Sequence, residues 1–213
     1  MSEALRIGYA DPPYPGQAHL YKDHPDYGGE VDHGELIETL VNSYDGFILH
    51  TSSPALYQIL SLCADQGLQP GSDYRIMSWV KPFAAFKANV PVAYAWEPVL
   101  VKTARKPKVD GSHQIMRDWL SEPITMKRGL TGAKPRNVCW WLFEVVGATP
   151  DDMLDDMFPG TGAVTQAWDD WRISILGEPE QLELQPLILL VPLYLQILLQ
   201  VQNQKGLRDV IRR

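Results

Sequence analysis

Short apolar runs alternate with helix-spaced apolar faces through the N-terminal half, and this alternation does most to restrict the fold. LRIGYA (5–10) reads as a buried strand that stops at Asp11-Pro12. From Gly34, residues Leu36, Ile37, Leu40 and Val41 share one helical face, which should end near Asn42–Gly46. GFILHTSS (46–53) reads as a second strand. Ser53-Pro54 opens a second helix, with Leu56, Ile59, Leu60 and Cys63 facing inward and Gly67 near its stop. YRIMSWVKP (74–82) and PVAYAWEPVLVKT (91–103) are the third and fourth strands. Strand and helix taking turns in this way imply an α/β architecture with parallel sheet members.

The pattern resumes later in the chain. RNVCWWLFEVVG (136–147) predicts a helix closed by Gly147, and DDMLDDMF (151–158) a short strand leading into PGTG (159–162). Ala163 to Trp171 predicts the next helix and RISILGE (172–178) the next strand, which together would make a second βαβ unit. Residues 182–204 shift to Leu and Gln and carry no charge from Leu184 to Gln204. A membrane span needs about 20 mostly apolar residues, and Pro186, Pro192, Gln185, Gln196 and Gln200 interrupt this run. The expectation is a strand or helix covering the sheet, with a self-association surface and hence a homodimer left open, and no membrane partner.

At 213 residues with 45% hydrophobic and 21% charged content, the chain fits one soluble domain spanning 1–213. The start, MSEALRIGYAD, has no basic region followed by an apolar run, so no signal peptide is expected. Cys63 and Cys139 lie far apart without zinc spacing, which implies two buried thiols, no metal and a reducing cytoplasm. The net charge of −7 argues against a surface that grips nucleic acid all over. Its distribution is uneven: residues 102–136 hold nine basic and three acidic residues, a local +6 that leaves −13 elsewhere. Charge alone leaves a phosphate-binding face and a solvated loop equally open. The polar stretch 16–33 reads as a mobile surface loop, with His19, His24 and His33 as ordinary loop histidines.

Two short stretches carry chemistry. FPGTG (158–162) sits between a predicted strand and a predicted helix, where glycines let backbone approach a ligand and the helix start offers free N–H groups. Asp156 ends the strand before it, and Glu178 lies near the spacing at which an acid binds a cofactor ribose in dinucleotide folds. The full G-x-G-x-x-G and G-x-x-x-x-G-K-[ST] fingerprints are absent, which weighs against NAD and ATP. In DPPY (11–14), Pro12 and Pro13 have no N–H, so the rim offers the Asp11 carboxylate and the Pro12 carbonyl as acceptors, with Tyr14 as a ring beside them. Such a set suits a flat ligand with an exocyclic amino group, and equally a stiff turn capped by Asp11.

Taken with SWVKP (78–82), AWEPVLV (95–101), TGAKPRN (131–137) and DMFPGTG (156–162), DPPY resembles the S-adenosylmethionine-dependent amino-group DNA methyltransferases. In these, D-P-P-Y is the catalytic motif of the N6-adenine enzymes. Its position ahead of the glycine loop is similar to the permuted class called beta. The resemblance covers roughly residues 5 to 178 and implies a Rossmann-like methyltransferase fold, a mostly parallel sheet flanked by helices in circularly permuted motif order. It divides the chain into a catalytic half (5–101), a short basic target-recognition segment (102–136), a cofactor half (137–180) and the apolar tail (181–213). It implies that Asp11, Pro12, Pro13 and Tyr14 are catalytic and that Tyr14 stacks on the target base. The cofactor S-adenosylmethionine would be held by Asp156, Phe158, Gly160, Gly162 and Glu178, with Lys134 and Pro135 contributing backbone. Arg105, Lys106, Lys127 and Arg128 would grip the phosphates of DNA. Met157 stands where the family usually has proline. The short segment before KPRN, where larger members carry a recognition domain, implies a solitary enzyme of phage or mobile-element type. N4-cytosine, RNA adenine or a protein amide as substrate, and a decayed binding module, stay open beside N6-adenine. Trp79, Trp140, Trp141 and Cys139 are expected to be core.

Overall fold

The structure is a computed structural model that describes residues 3–22, 28–83, 90–105, 115–125 and 133–177. The chain falls into two compact units, Met1–Ile175 and Leu176–Arg213. The expectations for the apolar tail, and those for Glu178, Lys106, Lys127 and Arg128, lie outside the described residues.

Six strands form one sheet in the order β5-β3-β4-β2-β1-β6. They are β1 (Arg6–Ala10), β2 (Gly46–His50), β3 (Arg75–Val80), β4 (Trp96–Lys102), β5 (Trp119–Ser121) and β6 (Met153–Asp156). β1 pairs in parallel with both β2 and β6, and β3 with β5. β4 is antiparallel to both β2 and β3. The sheet is therefore mostly parallel with one reversed member. As a result, the start of β4 lies at the same sheet edge as the ends of β1, β2, β3 and β6.

Side chains alternate across the strands and feed two cores. Ile7, Tyr9, Ile48, Val99 and Val101 face α3 (Arg136–Val146) and α4 (Ala163–Leu176), meeting Val138, Leu142, Phe143, Val164, Trp168 and Trp171. Ala10, Phe47, Leu49 and Leu100 face α1 (His33–Ser43) and α2 (Leu56–Asp65), meeting Leu36, Ile37, Leu40, Ile59 and Cys63. Gly8 makes room for the second contact, since a Cβ there would stand 2.7 Å from Leu40 Cδ2 and push that side chain aside. Asp32 caps α1 by accepting from the N–H groups of Gly34 and Glu35. Gly147, at φ 78°, closes α3 in the left-handed conformation that glycine adopts freely.

Every strand and helix expected through Trp171 is present, with boundaries shifted by a few residues. One expectation fails: Arg172–Leu176 belongs to α4 and is not a strand, so the described residues contain no second βαβ unit. Ile173 and Ile175, two residues apart, would share one face of a strand, yet both side chains are about half exposed. Helical spacing instead continues through the buried Trp168 and Trp171, and the Ser174 hydroxyl donates back to the Trp171 carbonyl at 2.7 Å. Trp79 is buried, and Trp140 and Trp141 are partly buried against the α3–α4 core, as expected.

Candidate active site

Adjacent parallel strands bring the two sequence motifs together. Tyr9 on β1 is in register with Asp156 on β6, and the Met157 N–H donates to the Tyr9 carbonyl at 2.9 Å. A proline at 157 could not make that bond. DPPY therefore leaves the sheet beside the loop 157–162, at the carboxyl ends of parallel strands where ligands bind in open α/β sheets. After DPPY the chain turns sharply. The Gln17 N–H donates to the Tyr14 carbonyl at 2.8 Å, with Pro15 and Gly16 (φ 74°) between them.

On the loop side, the Thr165 hydroxyl donates to Asp156 Oδ2 at 3.2 Å. Asp156 Oδ1 is buried and has no hydrogen-bond partner among the described residues. Burial, reinforced by the charges of Asp11 and Asp155, pushes the Asp156 carboxyl above the usual aspartate range, against the pull of Thr165 and the Phe158 N–H. Gly160 and Gly162 have φ of 44° and 73°. The Gly162 N–H closes the turn onto the Pro159 carbonyl at 2.6 Å. A Cβ on Gly162 would meet nothing within 4 Å, so the backbone faces open space. Phe158 packs against the α1–α2 core. A buried acceptor without a donor, beside exposed glycine backbone at the start of α4, suits a ligand carrying an ammonium group.

On the DPPY side, Pro12 is buried, and Pro13 and Tyr14 are half-buried. Asp11 Oδ1 accepts from Lys134 Nζ at 2.9 Å. Lys134 was expected to contribute backbone only, but its side chain turns into the site. Its ammonium also donates to Glu97 Oε1 at 2.9 Å. Pro135 forms the N-cap of α3 with extended backbone, and its carbonyl accepts from the Val138 N–H at 3.0 Å. Glu97 takes two more donors: His50 Nδ1 on Oε1 at 2.8 Å and Lys81 Nζ on Oε2 at 2.9 Å. The Tyr9 hydroxyl lies 2.7 Å from His50 Nε2. Despite its burial, Glu97 is held well below the usual range by Lys134, His50 and Lys81. Burial opposes the charge on Lys134, but Asp11 and Glu97 outweigh it and raise the ammonium well above the ordinary lysine value. Burial likewise raises Tyr14 well above the ordinary phenol value, with Lys134 opposing and Glu97 and Asp11 reinforcing.

Ligating atoms of Asp11, His50 and Glu97 lie within 4.8 Å of one another, a cluster of the kind that can hold a metal. Here the Lys134 ammonium bonds to both carboxylates, so the chain itself supplies the cation. Tyr9, His50, Lys81 and Glu97 were not singled out in the sequence. A charged residue inside an otherwise apolar strand, Glu97 within AWEPVLV, and a histidine ending GFILH were the available signals.

Arg105, expected on phosphates, is committed elsewhere: Nη1 and Nη2 donate to the Asp152 carboxylate at 2.5 and 2.6 Å, and further bonds reach the carbonyls of Gly147 and Glu3. Asp152 precedes β6 and Gly147 ends α3, so this network lies at the sheet edge opposite the site. Cys63 and Cys139 are free and buried, as expected, and burial pushes their thiols up to about 11 and about 12. Among the described residues, no helix is long and apolar enough to cross a membrane.

No family model matches the chain, and no curated protein matches it. Solved structures do. The crystal structure of the M1.HpyAVI–SAM complex superposes with a TM-score of 0.51 at 16% sequence identity, covering 79% of this chain and 79% of that one. A crystal structure of M1.HpyAVI superposes at 0.47 with 15% identity, covering 79% of this chain and 77% of that one. The likeness to the first is one of fold, and the chain has the Rossmann-like methyltransferase fold: a mostly parallel sheet between two layers of helices.

Proposed function

We propose that the chain transfers a methyl group from S-adenosylmethionine to the exocyclic N6 of adenine in DNA. The observation that carries this reading is the register of Tyr9 with Asp156, which sets the DPPY acceptors beside the glycine loop at one sheet edge. The similar fold of M1.HpyAVI in its complex with SAM supports the choice of cofactor.

Asp156 would accept the cofactor's methionine ammonium on its unpartnered Oδ1, and Phe158, Gly160 and Gly162 would line the pocket. Glu178 remains the proposed ribose ligand. S-adenosylmethionine supplies an electrophilic methyl on a sulfonium. The adenine N6 lone pair is delocalised into the ring and is a poor nucleophile. Asp11 and the Pro12 carbonyl would accept its two N–H bonds, drawing electron density onto nitrogen and letting it become tetrahedral. As the C–N bond formed, the methyl's C–S bond would break to leave the neutral thioether S-adenosylhomocysteine, and the nitrogen would shed one proton to solvent. Positioning and fixed electrostatics supply most of the acceleration. Tyr14 offers its ring to the extruded base. Lys106, Lys127 and Arg128 remain the proposed phosphate contacts.

The test is incubation with S-adenosylmethionine labelled in its methyl group and unmethylated DNA, followed by nucleoside analysis. N6-methyldeoxyadenosine is expected, and Asp11→Ala should abolish it. Label on deoxycytidine, on RNA or on protein would reassign the substrate. Absence of cofactor binding at millimolar concentration would reduce the chain to a non-catalytic module.

A further inference from the structure

A feature that the transfer reaction as just described does not use is the buried ion network behind Asp11. It draws on three separate elements: Asp11 follows β1, Glu97 opens β4 and Lys134 precedes α3. The ammonium of Lys134, whose side chain is only 7% exposed, stands 2.9 Å from Asp11 Oδ1 and 2.9 Å from Glu97 Oε1. Glu97 is immobilised in turn by His50 and Lys81, and Tyr9 bonds the far side of His50. Replacing such a buried network with apolar groups is often neutral or stabilising. Its upkeep is therefore poorly explained by folding alone. It also ends on a carboxylate that is 21% exposed and points into the site.

The prolines fix the backbone after Asp11, but they do not fix the carboxylate. The χ2 torsion of aspartate is broad and roughly two-fold, so either oxygen could face the ligand. An ammonium locked onto Oδ1 removes that freedom. A carboxylate has about four acceptor sites, so Oδ2 keeps its full capacity for an N–H.

We propose that Lys134, anchored by Glu97, is a positioning residue that holds Asp11 Oδ1 and so aims Oδ2 at the amino group to be methylated. This inference rests on the reading given under Proposed function. The Lys134 ammonium is taken up by the Asp11 and Glu97 carboxylates. It acts through Asp11, so its loss should lower the rate of methyl transfer while sparing cofactor affinity.

The test is single-turnover methylation of DNA adenine by Lys134→Ala, with calorimetry of S-adenosylmethionine binding alongside. The expected rate falls about 10²-fold, the scale associated with an ångström of misplacement, while the cofactor Kd moves less than about threefold. Propylammonium, which replaces the missing side-chain atoms, should restore at least about tenfold of the rate, and tetramethylammonium at equal ionic strength should not. A rate within about threefold of wild type, or a loss that propylammonium does not repair, overturns the proposal. Should Lys134→Ala fail to fold by circular dichroism, Glu97→Gln carries the test. A rate loss of about tenfold or more at unchanged cofactor Kd supports the anchor, and an unchanged rate overturns it. A wild-type protein that binds cofactor yet methylates no adenine sinks the underlying reading and this inference with it. An active wild type with an unimpaired variant sinks the inference alone.

Discussion

Tyr9 and Asp156 stand opposite one another on neighbouring parallel strands, although most of the chain separates them in sequence. Beyond that pair each strand leaves the sheet on the same side, one into Asp11-Pro12-Pro13-Tyr14 and the other into the glycine loop. A rim of acceptors and an unpartnered buried carboxylate oxygen therefore share one edge. The consequences for binding and for stability pull in opposite directions.

Asp156→Asn should weaken S-adenosylmethionine binding by about tenfold or more while raising the unfolding midpoint of the free protein at pH 7. The buried carboxyl titrates above its ordinary value in the folded chain, so it favours folding only when protonated. That contribution is present below the unfolded aspartate value of about 3.9 and is lost as pH rises through the higher folded value. Asparagine keeps an oxygen for Thr165 and the Phe158 N–H but carries no charge. Calorimetry and thermal melts check both halves. Wild-type affinity for the cationic ligand should also fall on acidification through the Asp156 transition, and the variant should lack that dependence.

Gly162→Ala should impair binding with little unfolding. The residue sits at φ 73° and its missing side chain would point into empty space, so no atom needs to move. The left-handed backbone makes alanine costly by about 1–2 kcal/mol. Relief of that strain would reshape the turn onto Pro159 and lower cofactor affinity. Denaturant melts should give the strain, and calorimetry the loss of affinity.

The strands, helices and motifs were legible because each is written in local patterns: alternation in LRIGYA and GFILH, helical spacing from Leu36 to Val41, and glycine after a strand at 158–162. The joining of Asp11 to the glycine loop was legible only through the order of motifs, since strand pairing between β1 and β6 leaves no local mark. The Lys134–Glu97–His50 network was not legible. Lys134 was expected at the cofactor through backbone alone and Glu97 was not singled out, because only the antiparallel β4 brings the two side chains together at the active edge. The strand expected at Arg172–Leu176 failed for the opposite reason. Two isoleucines two residues apart imitate a strand, whereas Trp168 and Trp171 continue the buried helical face.

Both cysteines should be inert in the native protein. Each thiol is buried and titrates far above neutral pH, at about 11 for Cys63 and about 12 for Cys139, so almost no thiolate is present to react. A chromogenic disulfide reagent at pH 8 should label neither under native conditions and both in denaturant. Pretreatment with alkylating agent should leave methyl transfer unchanged. Rapid native labelling of Cys139 would show that the α3 core opens near the site.

Arg105 and Asp152 should behave as a structural clamp and not as a DNA contact. The Asp152 carboxylate is buried, and besides Arg105 it accepts from the Leu5 N–H, the Thr149 N–H and the Thr149 hydroxyl. Its removal strands all of these donors, so Asp152→Ala should cost about 3–5 kcal/mol in denaturant unfolding. Burial opposes the charge, but the Arg105, Leu5 and Thr149 donors outweigh it and hold the carboxyl below its ordinary value. A depressed folded value means that the stabilisation is present above the unfolded aspartate value of about 3.9 and is lost as pH falls through the folded one. Stability should therefore decline more steeply on acidification below about pH 4 in wild type than in Asp152→Asn. Arg105→Ala should lower the unfolding midpoint yet leave the salt dependence of DNA binding unchanged. A residue that neutralises a phosphate would instead reduce that slope by about 0.9, and such a change would return Arg105 to the nucleic-acid interface.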